Sequence, residues 1–247
     1  MKHVNHENSS ERRQRSFILL WHHPDPVRTV FLLDVDNTLL DNDVVAADLR
    51  QHMIDAFGAE SQERYWQIFE RLRTELGYAD YLGALQRYRV EHPNEPHLME
   101  ISFFLVDYPF QERLYPGALD AIARLRARGT VVILSDGDAV FQPRKIARSG
   151  LWRAVDGAVL IYIHKEDMLA DVERRFPADH YVVVDDKVRL LAAIKKQWGR
   201  RVTTVFVRQG HYAADARELA EYGPADVTIE RIGELEPGLF INEALGQ

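Results

Sequence analysis

The chain has 247 residues, of which 46% are hydrophobic and 28% charged, and its formal net charge is -7 at pH 7. This composition is typical of a globular protein and excludes disordered and collagen-like classes. An acidic chain has no electrostatic attraction to nucleic acid or to an anionic membrane surface, so neither is an expected partner. The absence of cysteine excludes disulfides, a thiolate nucleophile and cysteine zinc sites. The lack of a long apolar segment or a signal-peptide core favours a cytoplasmic location.

Residues 1–27 are predicted to be an N-terminal extension. The stretch from residue 2 to residue 15 is polar and has no periodic apolar face. Such a stretch gains little from packing, so its disorder is an open alternative. The rest of the chain divides into a core domain, residues 28–42 and 114–247, and an inserted segment, residues 43–113.

Five unbroken apolar runs predict the strands of a parallel sheet that is buried on both faces. In chain order they are residues 29–34, 130–135, 158–163, 181–185 and 203–207. Helical patterns separate them, which predicts a doubly wound, Rossmann-like α/β domain. Ligands of such sheets bind at the carboxyl ends of the strands. Five polar residues fall there: Asp34, Asp36, Ser135, Asp185 and Asp186.

The connection between the first two predicted strands is much longer than one crossover helix requires. Its interior, residues 43–113, contains no convincing strand. Apolar residues recur there at helical spacing, in the sets Tyr65, Ile68, Phe69, Leu72 and Tyr81, Leu82, Leu85, Tyr88. We therefore expect an α-helical cap domain inserted after the first strand.

Two carboxylates directly follow the first predicted strand. Asp34 and Asp36 are two positions apart, and their charges repel unless a cation neutralises them or one carboxyl group keeps its proton. A general acid at neutral pH needs a pKa above the ordinary aspartate value of about 3.9, and burial beside another carboxylate raises it. One carboxylate can then attack while the other delivers a proton, and Thr38 can hydrogen-bond the loop. The alternative is a polar turn without function.

Four segments in order resemble the motifs of the haloacid dehalogenase-like hydrolase superfamily. They are FLLDVDNTLLDN around Asp34, VVILSDGD around Ser135, Lys165, and YVVVDDK around Asp185 and Asp186. ADVTIERIGEL, from Ala225, is similar to the family's C-terminal edge strand. The resemblance extends from Val30 to Leu235 and implies a phosphatase-type member with a helical cap.

The resemblance implies a role for each motif residue. Asp34 would attack phosphorus to form an aspartyl-phosphate, and Asp36 would protonate the leaving group and then activate water. Ser135 would hydrogen-bond the phosphoryl group, and Lys165 would neutralise its charge. Thr38, Asp136 and Gly137 are further candidates for phosphate contacts, although Gly137 can equally be part of a plain turn.

Magnesium is the implied cofactor. The ligands would be the carboxylate of Asp34, the main-chain carbonyl of Asp36 and the acidic pair Asp185 and Asp186, with Asp186 as the expected direct ligand. Asp36 also favours phosphate esters, because dehalogenases and phosphonate-cleaving members of the superfamily lack an aspartate two positions after the nucleophile. The implied partner is a small phosphorylated metabolite, and the oligomeric state is open.

Two departures from the family pattern affect the loops of the site. Asn37 replaces a frequent glycine, but asparagine tolerates left-handed backbone. Glu166 follows Lys165 where many relatives have proline, so Lys145 and Lys187 compete for the role of Lys165. Lys145 is expected on a solvated helix surface, and Lys187 is expected to balance the charge of the acidic pair.

Two alternatives to a phosphatase use the same motifs. A phosphomutase would return the phosphoryl group to a sugar, and a non-catalytic module would only bind a phosphorylated ligand. A phosphoacceptor receiver domain has its acidic pair first and its lysine last, and it lacks a large helical insertion, so the order of motifs here does not match it.

Overall fold

The computed structural model describes residues 27–240 of the chain, so most of the predicted N-terminal extension lies outside the described residues. The centre of the fold is a six-stranded parallel sheet in the order β3-β2-β1-β4-β5-β6. The strands are β1 (Thr29–Leu33), β2 (Thr130–Asp136), β3 (Val159–Tyr162), β4 (His180–Asp185), β5 (Val202–Val207) and β6 (Val227–Ile229). Each predicted apolar run matches one of the strands β1 to β5 to within one residue at either end, and β6 lies in the C-terminal segment that resembled an edge strand.

Both faces of the sheet are covered by helices. Successive residues of a strand point to opposite faces, and accordingly Phe31 and Leu33 belong to one apolar cluster whereas Val30 and Leu32 belong to another. Helices α5 (Ala118–Arg126), α6 (Phe141–Arg148) and α7 (Leu151–Ala154) pack on the first face, and helices α8 (Leu169–Arg175), α9 (Val188–Trp198) and α10 (Ala216–Tyr222) pack on the second. This two-sided burial explains why the strands read as unbroken apolar runs. The predicted doubly wound α/β fold is confirmed.

Four helices lie between β1 and α5, the helix that leads into β2. They are α1 (Asn42–Phe57), α2 (Ala59–Leu76), α3 (Tyr81–Glu91) and α4 (Leu98–Asp107), and they confirm the predicted helical insertion. Helix α1 begins after Asp41, whose side chain accepts a hydrogen bond from the amide of Val44 at 3.1 Å, as an N-cap does. Helix α2 ends at Gly77, whose φ of 81° is a left-handed C-cap conformation. Within residues 27–240, none of the helices combines the length and hydrophobicity needed to span a bilayer.

The cap packs directly against the core domain through aromatic side chains. The Tyr65 hydroxyl donates to the carbonyl of Tyr81 at 2.9 Å, which joins α2 to α3. The Tyr81 ring then meets the ring of Phe141, on α6, with 5.4 Å between their centres. Tyr81 and Phe141 are both buried. The cap and the first face of the sheet therefore share one apolar cluster, which holds the cap helices over the carboxyl end of β1.

Strand β1 lies at the position where the strand order reverses. The chain proceeds from β1 to β2 and β3 on one side, and from β4 to β6 on the other. In open α/β sheets, ligands bind outside the carboxyl ends of the strands at this switch point. The fold therefore directs attention to the residues that directly follow β1, β2 and β4.

Candidate active site

Three aspartates meet at the ends of β1 and β4. Asp34 directly follows β1, Asp185 ends β4, and Asp186 comes next. The amide of Asp34 donates to the carbonyl of Val184 at 3.0 Å, which joins the two strand ends. One carboxylate oxygen from each of Asp34, Asp185 and Asp186 lies within 4.8 Å of the others, and all three residues are buried. We call these three residues the acidic triad.

The acidic triad contains buried oxygen atoms without a protein partner. Among residues 27–240, Oδ2 of Asp34 and both carboxylate oxygens of Asp186 accept no hydrogen bond. Buried polar atoms are normally paired with a hydrogen-bond donor or a metal, and converging carboxylate oxygens suit a hard cation such as Mg²⁺. The triad therefore fits the predicted cofactor, with Asp34 and Asp186 as the residues that offer free oxygens. The role of the Asp36 carbonyl as a ligand stays a prediction.

Lys165 lies beside the triad and is itself buried. Its Nζ is 2.5 Å from Oδ1 of Asp34 and 2.6 Å from Oδ2 of Asp185. Its main-chain amide donates to Oδ1 of Asp136 at 2.8 Å, so the end of β2 orients the loop that carries the lysine. The structure thus brings Lys165, rather than Lys145 or Lys187, into contact with Asp34.

Burial and neighbouring charges shift the protonation equilibria of this group. Burial raises the pKa of Asp34, although the charge of Lys165 opposes the shift. Burial and then the charge of Asp185 raise the pKa of Asp186 well above its ordinary value. Burial alone would lower the pKa of Lys165, but Asp185, Asp34 and Asp136 outweigh it and raise that pKa well above its ordinary value. Lys165 therefore stays cationic, and a further positive charge would favour ionisation of Asp34 and Asp186.

Asp36 belongs to a second group of hydrogen-bonded polar side chains. Its Oδ1 is 2.7 Å from Nζ of Lys145, and its Oδ2 accepts a hydrogen bond from Nε2 of Gln142 at 3.2 Å. Gln142 also donates to Oγ of Ser135 at 2.9 Å. The Lys145 side chain is only 1% exposed, so the prediction that it lies on a solvated surface is wrong. Helix α6 places Gln142 and Lys145 one turn apart, and both reach the end of the sheet.

Of the three predicted phosphate contacts, Asp136 and Gly137 have other partners in the structure. Thr38 is buried, but within the described part of the chain its hydroxyl forms no hydrogen bond, so the expected bond from this side chain to the loop is absent. The amide of Gly137 donates to the carbonyl of Tyr162 at 3.0 Å, and it is therefore not free for phosphate. Asp136 orients the Lys165 loop instead. Gly137 is nonetheless needed, because a Cβ there would lie 2.7 Å from Cβ of Gln142.

A cavity of about 570 Å³ lies between the cap and the core domain. Asp36, Asp136, Gln142 and Lys145 line it from the core domain. The cap contributes polar, cationic and aromatic side chains, including Asn42, Arg50, Trp66, Phe69, Arg73, Tyr78 and Tyr81. Its volume suits a small-molecule ligand.

The family model of the haloacid dehalogenase-like hydrolases matches residues 29–231, a range that includes the sheet, the cap and every residue of the candidate site. The chain belongs to this family. A solved haloacid dehalogenase-like hydrolase from Burkholderia xenovorans LB400 is 67% identical to it. The alignment covers 85% of this chain and 98% of that one, with a TM-score of 0.82. No curated protein sequence matches the chain.

More distant members of the family share the fold. The hydrolase YfnB from Bacillus subtilis, solved bound to magnesium, has a TM-score of 0.56 and 16% identity, over 85% of this chain and 97% of that one. L-2-haloacid dehalogenase from Xanthobacter autotrophicus has a TM-score of 0.55 and 22% identity, over 85% and 96%. At such identities the likeness establishes the fold, and the reaction must be argued from the site.

Gln142 and Asn42 are site residues that the sequence did not indicate. Asn42 accepts a hydrogen bond from Nζ of Lys145 at 3.0 Å. Asn37, which has a φ of 61°, accepts hydrogen bonds from the amides of Asn42 and Asp43 and so shapes the same loop. For Gln142, the signal available in the sequence was its position three residues before Lys145, on the helix expected after the second motif.

Proposed function

We propose that this hydrolase is a magnesium-dependent phosphatase that cleaves a small phosphorylated metabolite through an aspartyl-phosphate on Asp34. The observation that carries the proposal is the position of Asp36, whose carboxylate lines the cavity and is held between Lys145 and Gln142. A carboxyl group in this position can exchange protons with a ligand in the cavity. Asp34 cannot serve as the proton donor in the same step, because it is the nucleophile and is paired with Lys165.

The first step transfers the phosphoryl group to Asp34. A carboxylate oxygen of Asp34 attacks phosphorus, the bond between phosphorus and the ester oxygen breaks, and the departing oxygen takes a proton from Asp36. Lys165 lies 2.5 Å from Oδ1 of Asp34 and offsets the charge that gathers there. Ser135, oriented by Gln142, offers its hydroxyl to the phosphoryl oxygens. Positioning and charge stabilisation of this kind account for most of the catalysis of phosphoryl transfer.

The second step regenerates the enzyme. The Asp36 carboxylate takes a proton from water, the water oxygen attacks phosphorus, and inorganic phosphate leaves Asp34 as a free carboxylate. Magnesium, bound through Asp34 and Asp186, would supply positive charge that lets a phosphate dianion approach the acidic triad.

A haloalkanoate dehalogenase is the competing reaction within the family. Its leaving group is a halide, which departs without a proton, so the first step of that reaction does not need Asp36 as an acid. An alkoxide leaving group is strongly basic and needs a general acid. The free oxygens of Asp34 and Asp186 likewise favour a reaction that uses a cation. Both features support phosphate ester hydrolysis.

The test measures phosphate release from p-nitrophenyl phosphate and from a panel of phosphorylated metabolites, with and without Mg²⁺. We expect Mg²⁺-dependent release that Asp34→Asn abolishes and that Asp120→Asn, a matched change at an exposed aspartate, retains. Parallel assays measure chloride release from chloropropionate and isomerisation of sugar phosphates. Chloride release, isomerisation without phosphate release, or ligand binding without turnover would each contradict the proposal.

A further inference from the structure

The cap presents one cation to the cavity in a preorganised position. The guanidinium carbon of Arg50, on α1, lies 3.9 Å from the centre of the Trp66 ring, on α2. Stacking on an indole occupies the face of a guanidinium and leaves its N–H donors, which lie in its plane, available. Trp66 is fixed in turn by the neighbouring rings of Phe69 and Tyr81. Arg50 is therefore held in place without using its hydrogen-bond donors.

Arg50 has no anionic partner in the described part of the chain. The stack on Trp66 is its direct contact, and residues 27–240 provide neither an ion pair nor a hydrogen bond for it. Nearby carboxylates of the cavity are already engaged. These pairs are Asp36 with Lys145, Glu70 with Arg73, Glu166 with Arg189 and Asp43 with His211. Arg50 is solvent-exposed, and among the described residues its N–H donors have no protein acceptor, so they are free to bind a ligand in the cavity.

The cation faces the same space as the proposed acid/base residue. Arg50 and Asp36 both line the cavity. Tyr81 also lines it, and the charges of both residues act on the Tyr81 hydroxyl. Burial chiefly raises the pKa of Tyr81, the charge of Asp36 raises it further, and the charges of Arg73 and Arg50 oppose the shift. A ligand whose ester oxygen is at Asp36 therefore has its leaving group in the same cavity that Arg50 lines.

From this arrangement we infer that the substrate is a phosphate ester whose leaving group carries a second anionic group, a carboxylate or another phosphate, that binds the Arg50 guanidinium. The inference rests on the proposed phosphatase function. Guanidinium binds both anions through paired, parallel hydrogen bonds. Arg73 is less suited to this task, because it already contacts Glu70 and the hydroxyl of Tyr212.

The experiment compares matched substrates on the full-length protein with Mg²⁺. One series contains carboxyalkyl phosphates of increasing chain length, each paired with the alkyl phosphate of equal length. A second series pairs alkanediol bisphosphates with hydroxyalkyl phosphates. The quantity measured is the ratio of kcat/KM for the charged member to kcat/KM for the uncharged member. The wild type should favour the charged member by about tenfold or more at the best chain length, and the two series distinguish a carboxylate from a phosphate.

Arg50→Met tests the residue itself, because methionine retains an unbranched apolar stem against Trp66. We expect this variant to lower the ratio by about tenfold. Arg71→Met, a control at an exposed arginine of α2, should leave the ratio as in the wild type. A ratio near one in the wild type, or one that Arg50→Met leaves unchanged, would overturn the anion subsite alone. Absence of hydrolysis of every ester in both series would overturn the phosphatase proposal and this inference with it.

Discussion

The ammonium group of Lys145 lies 2.7 Å from Oδ1 of Asp36, although the two residues are 109 positions apart in the chain. Asp36 follows β1 and Lys145 belongs to α6, so the contact depends on the packing of that helix over the strand ends. Lys145 also donates to Asn42 at the start of the cap. One buried lysine thus links the proposed acid/base residue with the first helix of the insertion.

The first prediction concerns Lys145 as a positioning residue for Asp36. Lys145→Met should lower kcat for phosphate esters by about tenfold to a hundredfold, because the Asp36 carboxylate loses the donor that holds it towards the cavity. KM should change less, since Lys165 and the triad still bind the phosphoryl group. Steady-state kinetics with Mg²⁺ measures both constants. Lys145→Arg should recover part of kcat, because it restores a cation.

The control for Lys145 is Lys196→Met, at an exposed lysine of α9, which should leave both constants unchanged. A fall in kcat/KM that arises wholly from KM would contradict the positioning role and would place Lys145 in substrate binding instead. Circular dichroism and thermal unfolding of each variant separate a local effect from a loss of fold.

The second prediction uses the leaving group to test Asp36. Asp36→Asn should lower kcat/KM for an alkyl phosphate by about 10²–10⁴-fold, because the alkoxide receives no proton. Nitrophenolate leaves without protonation, so p-nitrophenyl phosphate should still phosphorylate Asp34. Stopped-flow absorbance should then show a burst of nitrophenolate of up to one equivalent per enzyme, followed by slow turnover, because no base activates water.

The burst separates the two proposed tasks of Asp36. Asp34→Asn provides the negative control, since it removes the acceptor of the phosphoryl group and should show no burst. Equal losses for both substrates, without a burst, would contradict general acid catalysis by Asp36 and leave it a purely structural role.

The sheet and the acidic triad were predictable from sequence because both depend on local patterns. Strands buried on two faces must be apolar throughout, and strand ends of a parallel sheet meet at one edge, so Asp34, Asp185 and Asp186 could be expected together. Lys145 could not be placed in the same way. Its neighbours Arg144 and Arg148 suggest a solvated helix, and its burial depends on the angle at which α6 crosses the sheet. Tertiary packing determines that angle, and the local sequence does not encode it.

The side chains that hold the loops also escaped prediction. A glycine amide was expected to contact phosphate, yet the amide of Gly137 donates to the carbonyl of Tyr162. The loop at Thr38 is held by a hydrogen bond that its main-chain carbonyl accepts from Gln209, whereas the phosphate contact of the Thr38 hydroxyl stays a prediction. Those partners are distant in sequence. A motif specifies which residue types are present, whereas the partner of each polar atom is decided by the packing of loops around it.

The third prediction concerns Asp186 and magnesium. Mg²⁺ should raise the Tm of the wild type, because a ligand that binds only the folded state stabilises it. Asp186→Asn should require at least about tenfold more Mg²⁺ for the same rise, since it removes a ligand oxygen with no other partner. Without Mg²⁺ the same variant should have a higher Tm than the wild type at neutral pH, because burial and the charge of Asp185 raise the pKa of Asp186 in the folded state, and asparagine removes the free-energy cost of that shift. Differential scanning calorimetry in chelator and in Mg²⁺ measures both effects.

Asp120→Asn is the matched control for Asp186, and it should follow the wild type in chelator and in Mg²⁺. An Asp186→Asn variant that binds Mg²⁺ as the wild type does would contradict its assignment as a direct ligand.

The fourth prediction concerns Asp136 and the pH dependence of stability. Burial raises the pKa of Asp136 from 3.8 to about 6, against the opposing charge of Lys165. Between these two values the unfolded chain releases the proton while the folded protein retains it. The folded state then binds more protons, so this group lowers the free energy of unfolding as pH rises through the interval, and its effect is constant above it.

Asp136→Asn removes that titration and retains an oxygen that can accept the hydrogen bond from the amide of Lys165. The free energy of unfolding of the variant minus that of the wild type should therefore increase between about pH 4 and about pH 6 and level off at higher pH. Urea unfolding in chelator at a series of pH values measures this difference. Asp120→Asn, whose carboxyl group is exposed, should show no such rise. A difference that stays flat across the interval would mean that Asp136 is ionised in the folded protein, with Lys165 compensating its burial.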